Sequence, residues 1–228
     1  MTSCLLVAFF YFHQVSKTIT EPDRRYLKLF LKSAALPLEA SPALDTASFS
    51  ENIQLIRDVQ QTLLARNPPG SPIPQGQSRR PEDLYKFAGG GHCFDRAFTL
   101  AMLYRQLGMQ TRHVALYYDD PARNDFGELL TRGTRSHAAI EVRTQRGWMI
   151  VDSNESFIGL NSDGLPLSYT GLSEADSSRW LTPISPELAW TVSGRATVVY
   201  GLYSRHGKAF PPYNFMPDLN WRELLHNL

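Results

Sequence analysis

The chain has 228 residues, 43% of them hydrophobic and 20% charged, and its 23 Lys and Arg against 22 Asp and Glu leave a net charge of +1. A chain of this length can bury one substantial core, and well-mixed charge of this kind argues against a nucleic-acid-binding surface or a strongly acidic substrate. Two cysteines, Cys4 and Cys93, permit at most one disulfide, so the chain is not a disulfide scaffold and its redox compartment stays open.

The first stretch, Cys4 to Phe12, is apolar but far short of the ~20 residues that span a bilayer, and it lacks a basic flank and a small-residue cleavage pattern. It reads as a buried strand or helix turn. A truncated export signal and a weak membrane contact are the competing readings, which leave localisation between cytoplasm and cell envelope. Thr20, Pro22 and neighbouring acidic residues then open an amphipathic helix that places Tyr26, Leu27, Phe30 and Leu31 at helical spacing. Residues Pro37 to Ala47 form a connector rich in Pro, Ser and Ala. Ser50 is expected to cap a second helix, with Ile53, Ile56, Val59, Leu63 and Leu64 as its apolar stripe. Asn67 to Pro81 is rich in breakers and reads as a long irregular loop that contains Gln75 and Gln77.

The stretch from Gly89 to Leu107, GGGHCFDRAFTLAMLYRQL, turns a glycine run into a mostly apolar helix ending before Gly108, with Cys93 at or near its first turn. Free backbone N–H groups and the positive end of the helix dipole favour a thiolate there, and the same N–H groups suit an oxyanion. Thr111 to Tyr118 is a strand, followed by a polar loop from Asp119 to Ser136. His137 opens a second strand, HAAIEVR, which turns at Thr144-Gln145-Arg146-Gly147 and returns through Trp148 to Asp152. Pairing about that turn brings His137 near Asp152, giving a nucleophile, a base and a group to orient the base. Further on, Asn161 to Gly164 marks another hairpin, Ala196 to Tyr203 another strand, and the tail from Pro211 offers Tyr213, Phe215 and Trp221 as anchors. Each site residue also has an ordinary role. Cys93 could be a small buried hydrophobe, His137 a satisfied strand histidine and Asp152 a turn former. A metal site built from His92, Cys93, His113, His137 and Asp152 is disfavoured because no C-x-x-C or H-x-x-x-H pair is present.

The order of these features, from Cys93 in a Gly-rich turn, through a helix ending in Gly-Met-Gln-Thr-Arg and His137 opening a strand, to Gly-Trp-x-x-Val-Asp152, resembles the transglutaminase-like core of the papain-like cysteine enzymes. The resemblance covers about Phe49 to Ser153. It implies an α+β papain-like fold with the nucleophile at the start of a central helix packed on an antiparallel sheet, and a Cys-His-Asp triad of Cys93, His137 and Asp152. It also implies a peptide or protein amide substrate, with no metal and no organic cofactor. A side-chain donor upstream of the cysteine is expected to help hold the oxyanion, and spacing selects neither Gln75 nor Gln77. The expected division is 1–48 as an N-terminal segment and helix, 49–205 as the core and 206–228 as an aromatic extension. The expected chemistry is acyl transfer through a thioester, by hydrolysis or transamidation. The rival functions are a non-catalytic module that binds peptide or polysaccharide, and a membrane-surface adaptor using the N-terminus.

Overall fold

A computed structural model describes residues 14–42, 47–74, 77–87, 90–119, 134–172, 180–193, 196–203 and 218–228. The apolar stretch Cys4 to Phe12, Gln75, Gly89, most of the loop before His137, and Tyr213 and Phe215 lie outside them.

Helix α1, Glu21–Lys32, starts where the sequence places a cap: the Thr20 hydroxyl accepts from the Asp23 N–H, and the Asp23 carboxylate accepts from the Thr20 N–H in return. Leu27, Phe30 and Leu31 bury its inner face. Helix α2, Phe49–Arg66, begins two residues earlier than Ser50 would dictate. Ser48 and Glu51 form a reciprocal capping box, and that pair satisfies two helix-end donors where Ser50 alone would satisfy one. Its buried stripe includes Ile53, Leu55, Ile56, Val59 and Leu63, but also the polar Gln60, while Leu64 is only half buried. A short helix not anticipated from the sequence, α3 at Pro81–Lys86, closes the irregular loop, with Pro81 supplying a preset φ at its start.

Helix α4, Cys93–Gln106, is the centre of the molecule and is buried on almost every side. Asp95, Arg96, Thr99 and Gln106 are buried along with the apolar positions; Asp95, Arg96 and Gln106 find polar partners inside the protein, whereas the Thr99 hydroxyl has none among the described residues. Gly108, at φ +85°, ends the segment in a left-handed conformation as its position suggested.

Four strands follow: β1, Thr111–Tyr118; β2, Ser136–Thr144; β3, Gly147–Val151; and β4, Ala196–Tyr200. They form an antiparallel sheet in the order β3-β2-β1-β4, with Leu116 opposite His137, Ile140 opposite Val151 and Thr144 opposite Gly147 at the predicted hairpin. This is the expected α+β arrangement of a helix on an antiparallel sheet. Ala138, Ile140, Val142, Met149 and Val151 join the helices in one apolar cluster. Val114, Ala139, Ile150 and Tyr200 belong to a second cluster, completed by Phe157, Tyr169 and Trp190 from the segments after β3, so both faces are covered.

The strand expected from Ala196 to Tyr203 is broken at Gly201, which takes φ +72°. A Cβ there would sit 2.6 Å from the Leu224 nitrogen and 2.7 Å from the Asn220 oxygen, so only glycine lets the chain turn against the C-terminal residues. Beyond it, β5, Leu202–Tyr203, pairs with β6, Asp218–Leu219, which leads into the single turn α5, Trp221–Leu224. Trp221, expected to anchor this end, stays half exposed, and Glu223 is the buried residue of that turn. None of the helices in the described residues is long and apolar enough to cross a membrane.

Candidate active site

The approach to Cys93 is shaped by two glycines. A Cβ on Gly90 would stand 2.1 Å from the Phe87 ring, and Gly91 takes φ +106° with the Leu84 side chain 2.7 Å from where its Cβ would be. The turn is held by the Gly91 N–H donating to the Ser71 carbonyl at 2.6 Å. Asp95, fully buried two residues after Cys93, accepts from the His92 N–H at 2.8 Å and from Arg79 through both carboxylate oxygens, with Arg79 Nε at 2.6 Å. Arg79 makes this fork from the left-handed region, φ +59°, a conformation that costs about 1–3 kcal/mol and persists where surrounding contacts over-determine it. Helix start and preceding loop are thus locked as one piece.

Asp152 stands just past the end of β3, with no exposed surface. Its Oδ1 accepts from the Asn154 and Glu155 N–H groups at 2.6 and 3.0 Å, and its Oδ2 lies 2.7 Å from Nε2 of His137. The backbone of the turn is gripped from α2: Gln60 Nε2 donates to the carbonyls of Asp152, Glu155 and Phe157 at 2.8 to 2.9 Å. Ser153 ties the same turn to β2, its hydroxyl donating to the Ala138 carbonyl at 2.6 Å. With Nε2 committed to Asp152, Nδ1 is the His137 nitrogen left for the thiol.

The half-buried Cys93 lines a small cavity of about 40 Å³ together with His137, His113, Tyr117 and Tyr203. A groove of about 1040 Å³ lined by Lys17, Arg105 and Arg222 contains none of the three predicted residues, and its size reflects an open surface rather than converging reactive groups. Burial alone would raise the thiol pKa. The hydrogen bond and charge of His137, the Ala138 backbone N–H and the Arg96 charge overcome that and bring it below its ordinary value. For His137, burial works toward the neutral ring, but the Asp152 carboxylate and the sulfur outweigh it and push the imidazole up to about 10. Lowered thiol and raised imidazole both favour moving the proton from sulfur to ring, and the titration of the pair belongs to both groups.

The structure therefore brings Cys93, His137 and Asp152 into one cluster. Of the alternative ligand set, His113 also reaches the cavity, but burial first, then Lys17 and His137, drive its pKa down to about 3, so its ring is neutral. It stacks on Tyr203 with centroids 4.1 Å apart. Among the described residues no group of three or more His, Cys, Asp or Glu side chains is arranged to hold a metal. Gln77 is exposed, and Gln75 lies outside the described residues. Four residues that sequence reasoning passed over shape the site: Gln60, Arg79, Asp95 and Arg96. Gln60, Asp95 and Arg96 carried one visible signal, a polar side chain within a mostly apolar helix, and Arg79, in the loop before α3, carried none.

No curated protein matches the chain. The family model of the transglutaminase-like superfamily core matches residues 49–153, from the first residue of α2 to the residue after Asp152. The match covers a little under half of the chain, and the superfamily it points to is in general enzymatic.

Proposed function

We propose that the chain is a cysteine-nucleophile acyltransferase acting on a peptide or protein amide, with Cys93 as nucleophile, His137 as general base and acid, and Asp152 as the residue that orients the imidazole. The observation that carries this reading is the 2.7 Å contact from His137 Nε2 to Asp152 Oδ2, made in the buried neighbourhood of the Cys93 thiol.

In the resting site the proton sits on His137, and the sulfur anion attacks the amide carbon to form a carbon–sulfur bond. The carbonyl electron pair moves onto oxygen, where the Cys93 N–H at the helix start is the donor at hand. The tetrahedral adduct collapses as the carbon–nitrogen bond breaks, and the imidazolium Nδ1 protonates the departing amine or ammonia. In the second half His137 takes a proton from water, which attacks the thioester and restores the thiolate; an amine in place of water gives transamidation. Hydrolysis is the reading adopted here.

The test uses p-nitrophenyl acetate, with hydroxylamine as a competing acceptor. The expected result is a burst of one p-nitrophenolate per chain, an acetyl thioester on Cys93 by mass spectrometry, and acetylhydroxamate when hydroxylamine is present. Loss of the burst in Cys93→Ala is required. A full burst in that variant overturns the assignment, and a folded wild type with no burst directs attention to the binding-module reading.

A further inference from the structure

Arg96 lies one helical turn after Cys93 and is only 1% exposed. Its guanidinium reaches two separate pieces of the site. Nε donates to the Ser153 carbonyl at 2.7 Å and Nη2 to Asn154 Oδ1, both on the turn that carries Asp152. Nη1 donates to the Gly91 carbonyl at 2.6 Å and to the Pro68 carbonyl at 3.3 Å, both on the approach to Cys93. All four acceptors are neutral oxygens. Among the described residues no carboxylate forms an ion pair with Arg96, because Asp95 is taken by Arg79 and Asp152 by His137. Neutral carbonyls satisfy the donors of a buried guanidinium but leave its charge unbalanced, and a buried charge of that kind is costly.

We propose that the counter-ion of the Arg96 guanidinium is the Cys93 thiolate, so that Arg96 is a positioning residue that keeps the sulfur anionic independently of His137 while bridging the nucleophile loop to the Asp152 turn. The inference rests on the reading of Cys93 as the nucleophile. Electrostatics are consistent from both sides: burial pulls Arg96 down, and of the groups opposing it Cys93 acts most strongly, ahead of Asp95 and Asp152. The cavity around the sulfur is lined by His137 from β2, Tyr117 from β1, whose hydroxyl burial and the nearby sulfur push up to about 12, and the neutral His113, while Arg96 on α4 acts on the sulfur through its charge. The thiolate is therefore held by two cations of different kinds, one that gives up its proton during catalysis and one that never does. When His137 delivers its proton to the leaving group, Arg96 keeps its own positive charge, which favours the return of the sulfur as an anion at deacylation.

The experiment measures iodoacetamide alkylation of Cys93 against pH by intact mass, on the full chain. Wild type is expected to show a midpoint well below ~8.5, the free-thiol value. Arg96→Gln, which removes the charge, raises the midpoint by about one pH unit or more, Arg96→Lys restores most of the depression, and the Arg96→Gln shift persists in a His137→Asn background. A low wild-type midpoint that Arg96→Gln leaves unmoved in a folded protein overturns the role of Arg96 alone. A wild-type midpoint near ~8.5 overturns the nucleophile reading on which it rests. A second measurement keeps Arg96 intact and serves if its variants do not fold. In His137→Asn, the anionic S-carboxymethyl adduct of Cys93 should melt about 2–4 °C above the nearly isosteric, neutral S-carboxamidomethyl adduct. Equal melting, or the reverse order, rules the counter-ion out.

Discussion

Each face of the central sheet buries an arginine, and the two are treated in opposite ways. On the face away from α4, Arg112 forks onto Glu141, with Nε 2.8 Å from Oε2, and lies between the rings of Trp148 and Tyr200 at 4.5 and 4.0 Å. Glu141 is completed by the Tyr200 hydroxyl at 3.0 Å and the Tyr169 N–H at 2.7 Å. That cation is neutralised within its own cluster. On the α4 face, Arg96 is given oxygen dipoles in place of an anion. The difference teaches that a saturated charge belongs to the scaffold, whereas one left without a carboxylate can act on its neighbours.

The sharpest break between the faces should come from removing one carboxylate on each side. Asp152→Asn is expected to act on the chemistry, lowering acyl-transfer turnover by ~10²–10⁴-fold, because the imidazole loses its orienting anion and keeps an amide of the same size. Glu141→Ala should do the reverse, lowering unfolding free energy by about 3–5 kcal/mol in urea titration by stranding Arg112. The double replacement Glu141→Leu with Arg112→Met should recover most of that loss; if it does not, the Arg112 cluster does more than fill space.

A pH series sharpens the contrast next. The folded-state value of His137, about 10, lies above its ordinary 6.5, so the stability it contributes is complete below pH 6.5 and is lost as pH rises through about 10. The stability gap between wild type and His137→Asn should therefore narrow between those limits. For Cys93 the sign is opposite, since its depressed value contributes above the ordinary thiol range and is lost as pH falls through the folded value. The smallest effect is expected far from either face, where Ser48→Ala should cost about 1 kcal/mol by thermal melt and leave the alkylation midpoint of Cys93 unchanged.

The positions of Cys93, His137 and Asp152 were legible because each rests on a local pattern: a glycine run before a helix, a strand opening, and a strand end across a tight turn. The residues that hold them were not. Gln60 and Arg96 bind backbone carbonyls 92 and 57 positions away, and carbonyls leave no trace in a sequence. Asp95 is one polar residue in a mostly apolar helix, and its partner Arg79 comes from a loop with no periodicity to read. The placement of the α2 cap failed for a smaller reason, since Ser48 and Ser50 are both cap-type residues two positions apart and only the reciprocal bond to Glu51 separates them. Gly201 stands within a run of strand formers, and its turn is visible only once Leu224 and Asn220 are seen pressed against it.

That turn has a practical bearing on how the molecule can be divided. It delivers Leu202 and Tyr203 to the wall of the Cys93 cavity, and the Tyr203 hydroxyl is fastened 2.7 Å from Glu223. Both lie some fifty residues or more beyond the last matched position, so an excised fragment trimmed at residue 153 would carry Cys93, His137 and Asp152 and still have the Cys93 cavity open on one side. A minimal recombinant version has to retain the far carboxyl-terminal turn.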